Sequence, residues 1–237
     1  MGTYTNSREI KKPNDNDKIW RYMDFTKFID MLHYKALHFT RVDKLKDPYD
    51  TSIASYFAEK TGVSTLGLER IKSLEAGWRK QQFVNCWHVN ASESAALWKM
   101  YMKSNEGIAI QTTVKKLVTT LEVSNKDVSF DLASVNYDPS KLRNNTITPN
   151  GKSVQVLNFK ATLFTKRPCF SFENELRVFV HIDEPKSTGF KWEDLDINSL
   201  IEFIYINSEA PHWVFLLVRD LAKSHNIEAK VRKSNIY

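Results

Sequence analysis

The sequence predicts an α+β fold, with a mixed, mainly antiparallel sheet in the core and helices around it. Strand-like and helix-like segments are interspersed along the chain without the regular βαβ rhythm of a doubly wound sheet. No G-x-G-x-x-G motif is present, which argues against a dinucleotide-binding domain of that class. The chain has 237 residues, of which 42% are hydrophobic, enough for one sizeable core. We expect a flexible polar arm over residues 1–17 and a single globular domain over residues 18–237.

The first half of the chain begins with a strand followed by a helix. Residues 18–23 have strand composition, and Asp24 is placed to cap a helix whose apolar residues recur at helical spacing. Gly107 marks the end of a later helix, because the residues beyond it again have strand composition. Further strands are predicted at 36–42, 82–89 and 108–113, and further helices at 51–60, 67–80 and from Ser92 to Glu106.

The second half of the chain is also mixed. A short helix over 114–122 precedes residues 127–138, which have strand composition. The polar stretch 138–153 is the best candidate for a mobile loop. Beyond it, the pattern predicts a strand, a helix and a strand at 201–207, 211–223 and 227–233.

The composition indicates a reduced, cytoplasmic protein. Cys86 and Cys169 lie among aromatic or apolar residues and far apart, which favours buried thiols over a disulfide framework. The six histidines show no metal-ligand spacing and no C-x-x-C is present, so we expect no zinc. The first residues contain no apolar run, so we expect neither a secretory signal nor a membrane anchor. The net charge of +6 is compatible with a nucleotide or nucleic-acid partner.

One segment, FSFENELRVFV at 170–180, carries an unusual set of charges inside a strand-like pattern. Strict alternation would place Glu173, Glu175 and Arg177 on one face and the apolar side chains on the other. A half-solvated strand would explain the pattern. So would a pair of carboxylates at the floor of a cleft, one of them kept ionised by Arg177.

Motifs along most of the chain, from about residue 19 to residue 182, occur in a fixed order. They resemble the uncharacterised bacterial and phage family called domain of unknown function twenty-nine seventy-one. This sequence departs from the family pattern at Lys46, Asp50 and Phe170, where the family prefers Asn, often Glu, and Trp. The matching residues are Asp47, Pro48, Tyr49 and Asp50; Cys86; Trp98, Tyr101 and Gly107; and Lys166, Phe170, Glu173, Glu175 and Arg177.

The E-x-E of Glu173 and Glu175 follows a turn that contains an aromatic residue, and it also resembles the glutamate motif of the ADP-ribosyltransferase superfamily. Arg21 and Thr40 stand where strands of that superfamily carry an arginine or histidine and a Ser, Thr or Tyr. The resemblance implies an ADP-ribosyltransferase-like fold. It also implies an enzyme that transfers ADP-ribose from NAD to a protein or nucleic acid, in bacterial or phage conflict.

The resemblance gives each candidate residue a role. Glu175 stabilises an oxocarbenium-like centre, Glu173 orients the acceptor or takes its proton, and Arg177 completes the catalytic group. We expect Arg21, Thr40 and Glu175 to line one pocket, with Glu175 partly exposed, and Asp47 and Asp50 to lie beside Arg177. The NAD-binding candidates are Arg21, Tyr22, Thr40, Trp87 and Phe170, and the further pocket candidates are Asp47, Asp50, Trp98, Tyr101 and Lys166.

Two other functions are compatible with the same residues. A nuclease that uses a divalent metal would draw on the four acids and a lysine, namely Asp47, Asp50, Glu173, Glu175 and Lys166. A non-catalytic binding or regulatory module would use E-x-E-x-R as a ladder of salt bridges across strands. In that case Trp87 and Trp98 are core residues, and Asp47 and Asp50 are turn caps.

Overall fold

The structure is a computed structural model that describes residues 13–47, 50–52, 64–124, 128–138, 145–147, 154–156 and 159–236. Its strands are β1 (Lys18–Met23), β2 (Leu37–Arg41), β3 (Gln82–Val89), β4 (Ile108–Thr113), β5 (Phe130–Ser134), β6 (Asn145–Ile147), β7 (Val154–Val156), β8 (Glu175–His181), β9 (Gly189–Trp192), β10 (Phe203–Ile206) and β11 (Lys230–Lys233). Its helices are α1 (Phe25–Tyr34), α2 (Thr65–Arg79), α3 (Ala95–Tyr101), α4 (Val114–Ser124), α5 (Phe159–Thr162), α6 (Ile197–Leu200) and α7 (His212–Ser224).

Nine of the described strands form one sheet. Its main path runs β11-β10-β4-β1-β3-β2-β9, and β8 pairs with both β3 and β5. Every pair in this sheet is antiparallel except β10 with β11, which is parallel. The predicted α+β fold with a mainly antiparallel sheet is therefore confirmed.

The sheet opens beside β3. Along one edge, β3 pairs with β8 from Gln82 to His88. Along its other edge, β2 pairs with β3 at Phe83 and Val84, and β1 pairs with it at His88 and Val89. Residues 85–87 thus face an opening between β1 and β2, which we call the split.

The two faces of the sheet differ in composition. The main hydrophobic core lies on the face that carries Ile19, Trp87, Leu176 and Val178, which we call the core face. The opposite face, called the site face, carries Trp20, Cys86, His88, Glu175 and Arg177, because these residues pair with one another across the strands. Two smaller apolar clusters cover the site face on either side of the charged residues.

Most predicted elements are present with small shifts. The strands at 18–23, 82–89 and 108–113 have the predicted bounds. The third helix begins after Ser94 rather than Ser92, because the Ser94 hydroxyl accepts a hydrogen bond from the Leu97 amide. Asp24 precedes α1 as predicted, but its side chain accepts a hydrogen bond from the Lys103 amide instead of capping the helix.

Three regions differ from the prediction or lie outside it. Residues 13–17, assigned to the polar arm, form a turn whose Asp15 and Asp17 carbonyls accept hydrogen bonds from the start of α4. The loop predicted at 138–153 contains β6, which pairs with β7. Most of the helix predicted at 51–60 lies outside the described residues. No helix of the part that the structure describes is long and apolar enough to cross a membrane.

The segment before β8 is not a strand. Residues Pro168–Glu173 form a 3-10 helix, and Asn174 has a left-handed backbone with φ of 36°. Proline at the first position favours the helical turn, and Asn tolerates a positive φ better than most residues do. The alternation of Phe170 and Phe172 thus imitated a strand that begins only at Glu175.

Candidate active site

Five ionisable side chains form a buried cluster on the site face. Two are cations and three are acids, and none exposes more than 8% of its surface. Burial of this many charges is costly unless they neutralise one another. The members of this ionic cluster are Asp50, Lys166, Glu173, Glu175 and Arg177.

Arg177 is fully enclosed at the centre of the ionic cluster. Its Nη1 and Nη2 donate to the two Asp50 carboxylate oxygens, each at 2.8 Å, in a bidentate pair. Nη2 also donates to Glu175 Oε2 at 2.8 Å, and Nη1 donates to the Leu163 carbonyl at 2.9 Å. Burial opposes the charge, but Glu175 and Asp50 outweigh it and raise the pKa of Arg177. Arg177 therefore has no surface for a substrate and acts on Glu175 by positioning it.

Lys166 holds the second carboxylate. Its Nζ lies 2.5 Å from Glu173 Oε2 and 3.6 Å from the nearer oxygen of both Asp50 and Glu175. The 3-10 helix between Lys166 and β8 brings Glu173 back toward this ammonium. Burial lowers the pKa of Lys166, but the combined effect of Glu175, Glu173 and Asp50 is larger and raises it above the usual value. The amine therefore stays protonated.

The pKa values of the two glutamates are shifted in opposite directions. Burial raises the pKa of Glu173, and the Lys166 hydrogen bond only partly offsets this effect. Burial also opposes ionisation of Glu175, but Arg177 and Lys166 outweigh it and lower the pKa of Glu175. A pair of carboxyls whose pKa values are pushed apart can divide acid–base and electrostatic roles between them.

Sequence reasoning missed His88 as a member of this site. His88 pairs with Glu175 across the strands, and its Nδ1 donates to the Glu173 carbonyl at 2.5 Å. That bond places a proton on Nδ1, so in the neutral ring Nε2 is an acceptor, and it has no partner among the described residues. Burial lowers the pKa of His88. Only the strand register reveals this neighbour, because no local sequence pattern shows which residue of β8 pairs with His88.

Cys86 and Tyr137 also touch Glu175. The Cys86 thiol hydrogen-bonds to the Glu175 carboxylate, and burial together with that carboxylate raises the pKa of the thiol well above its usual value. The Tyr137 hydroxyl accepts a hydrogen bond from the Glu175 amide at 2.8 Å. Cys86 is thus a neutral donor to Glu175 rather than a nucleophile.

The carboxylates lie close below the surface. Tyr101 is 42% exposed, and Phe172 is 46% exposed and adjoins Glu173 in the chain. Burial around the Tyr101 hydroxyl and the charges of Glu173 and Glu175 raise the pKa of Tyr101. Tyr101, a predicted pocket residue, therefore lies within electrostatic range of both carboxylates. Glu175 was predicted to be partly exposed, but only 6% of its surface is exposed.

Arg21 lies at the split. It leaves β1 on the core face, opposite to Glu175, because its neighbour Trp20 shares the site face with His88. Its guanidinium is 5.8 Å from the Trp87 ring centre, and Nη2 donates to the His38 carbonyl on β2 at 3.1 Å. Nη1 is covered and has no partner among the described residues. Burial lowers the pKa of Arg21 to about 10.

The predicted convergence of Arg21, Thr40 and Glu175 on one pocket is therefore wrong. Thr40 pairs with Val84, whereas Glu175 pairs with His88, four residues away and roughly 13 Å along β3. Arg21 starts from the other face. Burial lowers the pKa of Arg21, and the smaller electrostatic effects of Cys86 and Tyr101 act in the opposite direction.

Three of the five predicted aromatic candidates are core residues, because their rings are covered. Tyr22 is 7% exposed and accepts a hydrogen bond from the Ser94 amide, so its ring is not open for stacking. Trp87 is 2% exposed on the core face, and Trp98 is 1% exposed beside Tyr22. Phe170 differs: it is partly exposed, with Lys166 Nζ 4.8 Å from its ring centre.

The predicted Asp-Pro-Tyr-Asp turn divides its two acids between different partners. Asp50 accepts the bidentate hydrogen bonds from Arg177, which confirms the contact predicted for this turn. Asp47 instead pairs with Arg167, whose side chain is 47% exposed, at 3.1 Å. Residues 48 and 49 lie outside the described residues.

Comparisons with known proteins give limited information. No protein-family model matches the chain and no curated protein matches it, so the resemblance to the domain-of-unknown-function family gains no support. Two solved structures of DarT from Thermus sp. 2.9 are similar. The complex with ADP-ribosylated ssDNA has 9% identity, a TM-score of 0.42, and coverage of 95% of this chain and 97% of that chain. The complex with carba-NAD+ has 10% identity, a TM-score of 0.41, and coverage of 94% and 97%. Similarity at this level is too low to support an inference about the site.

Proposed function

We propose that the chain is an NAD-dependent ADP-ribosyltransferase-like enzyme that transfers ADP-ribose to a macromolecular acceptor. The observation that supports this function is the pair Glu173 and Glu175, whose pKa values are shifted in opposite directions within one buried cluster. Transfer needs an anion at the sugar and a base for the acceptor, and one pair with this division can supply both.

The chemistry assigns a step to each glutamate. The bond between ribose C1′ and nicotinamide breaks, its electron pair leaves with nicotinamide, and C1′ becomes oxocarbenium-like. The ionised Glu175 stabilises that positive centre in a water-poor site. The acceptor then bonds to C1′, and its proton passes to Glu173, whose raised pKa makes it the better base of the pair.

The other residues bind or position. Arg21 Nη1 is a covered donor without a described partner, which suits a pyrophosphate oxygen reached through the split. Phe170 offers a partly exposed ring beside the glutamates. Asp50 and Lys166 act through Arg177 and Glu173, which they hold in place.

The metal-dependent nuclease is a weaker explanation of the same residues. Asp50, Glu173 and Glu175 already bind Arg177 or Lys166, and Asp47 lies apart with Arg167. A divalent metal would have to displace these cations. Among the described residues, no three His, Cys, Asp or Glu side chains are placed so that they could hold one metal ion.

The non-catalytic module has one observation in its favour. Each acid of the ionic cluster is bound by Arg177 or Lys166, as expected of a structural network. Arg21 Nη1 and His88 Nε2 are covered atoms without a described partner that could bind a ligand, which favours the enzyme, although such atoms also occur outside the site, as at Thr112 and Asn207. A cytoplasmic location and a role in bacterial or phage conflict remain predictions.

The test is NAD turnover, measured with transfer of label from NAD to protein and to nucleic acid, in the wild type and in Glu175→Gln. Glutamine keeps the hydrogen bond from Arg177 but removes the charge, so we expect activity to fall by about 100-fold or more. Because Glu175 is buried, the same change should cost about 1–3 kcal/mol of stability. Glu184→Gln, the same substitution at an exposed acid, should leave both unchanged.

Two outcomes would count against the enzyme. One is a folded Glu175→Gln variant with full transfer activity. The other is a wild type without NAD turnover whose melting temperature responds to Mg²⁺ or Mn²⁺ but not to NAD. Should Glu175→Gln fail to fold, Glu173→Gln provides the same comparison, because Glu173 is not bound to Arg177.

A further inference from the structure

The β11 edge of the large sheet carries unpaired cations. Lys230, Arg232 and Lys233 on β11 are exposed, and so is Lys18 on β1, which lies three strands in from this edge. None of the four forms an ion pair with a described residue, whereas Lys116, close to this edge, is paired with Glu202 at 3.0 Å. Of the nearby acids, Glu228 is exposed and stands two residues before the strand. This edge therefore carries a net positive charge.

Aromatic rings lie beside these cations. Phe203 and Tyr205 on β10 are partly buried and pair with Lys230 and Arg232. The Arg232 guanidinium lies 4.3 Å from the Phe203 ring centre, in a cation–π contact. Rings and cations alternate on one sheet surface, an arrangement that can stack bases and bind phosphates at the same time.

The strand register places this surface on the same face as the glutamates. Phe203 pairs with Gln111 of β4, Gln111 with Trp20 of β1, and Trp20 with His88 of β3, which pairs with Glu175. Five strand spacings separate β11 from β8, a distance of roughly 24 Å. A strand of several nucleotides is long enough to span this distance, across the apolar cluster that covers Trp20 between the edge and the glutamates.

We propose that this edge patch, defined as Lys18, Phe203, Tyr205, Lys230 and Arg232, binds single-stranded nucleic acid. The inference deepens the proposed function, on which it rests for the catalytic step, because it names the acceptor class. Binding itself requires no NAD and is measured separately. Stacking and phosphate contacts favour a single strand, whose bases are free to lie on the rings.

The opposite edge of the sheet provides the comparison. There, Lys191 on β9 pairs with Asp30 at 2.7 Å and covers the Tyr34 ring. Exposed lysines on an edge strand also prevent another strand from pairing with it, but this role applies to both edges and does not explain their difference. Only the β11 edge combines unpaired cations with neighbouring rings among the described residues.

The experiment uses the whole chain without NAD and measures anisotropy of a labelled single-stranded oligonucleotide across a range of salt concentrations. Lys230→Gln with Arg232→Gln should weaken binding at least tenfold and reduce the slope of log affinity against log salt by roughly 1.4, the value for two phosphate contacts on a single strand. Phe203→Leu, which keeps the apolar volume but removes the ring, should weaken binding by about tenfold. The matched control, Lys191→Gln, should bind like the wild type.

The proposal fails if the double variant binds as tightly as the wild type with an unchanged salt slope. It also fails if duplex of the same sequence, or vesicles of phosphatidylcholine with phosphatidylserine, bind more tightly than the single strand. A chain that binds the single strand but turns over no NAD contradicts the proposed function alone. A chain that turns over NAD but transfers label only to protein contradicts the edge patch alone.

Discussion

Two arginines lie on either side of β3, one fully buried and one half-buried, and their surroundings are opposite. Arg177 on β8 is bound by two carboxylates and a carbonyl, which raise its pKa above the usual value. Arg21 on β1 makes one hydrogen bond, to the His38 carbonyl, and burial lowers its pKa to about 10. Both Nη groups of Arg177 are bound by acids and only its Nε lacks a partner, whereas Arg21 binds no acid among the described residues.

The difference separates scaffold from binding site. A guanidinium bound by the carboxylates of the protein holds other groups in place, as Arg177 does for Glu175. A covered guanidinium without an acid lowers stability until an anion reaches it. Arg21 Nη1 is therefore the donor at the split that an anion would stabilise.

The largest expected effect is on stability, at Arg177. Arg177→Gln removes the partner of two buried carboxylates, so the free energy of unfolding should fall by about 3–5 kcal/mol. Arg167→Gln is the matched control, because Arg167 also pairs with an aspartate but its side chain is 47% exposed, and it should cost less than about 1 kcal/mol. Urea denaturation of both variants measures this difference, and equal losses would show that Arg177 is no more structural than a surface arginine.

The next effect is the pH dependence of activity. Because burial raises the pKa of Glu173, NAD turnover should rise with pH through an acidic limb that lies above the ordinary carboxyl value of 4.5. Glu175 should add no limb there, because its pKa is lowered. Glu173→Gln should abolish the limb and reduce turnover by about 100-fold or more. A limb that survives in this variant would remove Glu173 as the base.

The same pair predicts opposite contributions to stability. Glu175, with a lowered pKa, adds stability that is present above its unfolded pKa and is lost as pH falls through its folded pKa. Glu173, with a raised pKa, adds stability below its unfolded pKa that is lost as pH rises through its folded pKa. Compared with the wild type, Glu173→Gln should therefore lose less free energy of unfolding at pH 7 than in the acid range. Urea denaturation of both proteins at each pH measures this difference.

The smallest expected effect is at Arg21, and it has the opposite sign to that at Arg177. Arg21→Met removes a covered donor without a partner and keeps the apolar stem, so stability should be unchanged or higher by roughly 1 kcal/mol. Urea denaturation beside Arg177→Gln measures the contrast. A loss as large as that of Arg177→Gln would mean that Arg21 has partners of its own.

The sequence was sufficient for three central strands and for the charged residues of the site. Apolar patterning predicted β1, β3 and β4, because their residues are buried over almost their whole length. The triplet Glu173, Glu175 and Arg177 was conspicuous because charges are rare in such a strand. The contact of Arg177 with the Asp-Pro-Tyr-Asp turn came from the family resemblance, since 127 residues separate the two partners.

Pairing between strands determined the positions of the site residues that local sequence patterns did not predict. The face of Arg21 and the place of His88 depend on the register between strands, which no local pattern encodes. Thr40 was expected near Glu175 because of the superfamily resemblance, but β2 pairs with the other end of β3. The 3-10 helix at 168–173 was missed because its phenylalanines repeat with the period of a strand.

The most direct test of the account is the thermal shift with ADP-ribose, compared between the wild type and Arg21→Met. At about 100 times the dissociation constant, the ligand should stabilise the wild type by about 2.7 kcal/mol, and the same concentration should leave Arg21→Met unshifted. Lys191→Gln, at the far edge of the sheet, should respond like the wild type. An equal shift in the wild type and in Arg21→Met, or no shift in the wild type, would contradict the assignment of the split as the nucleotide-binding site.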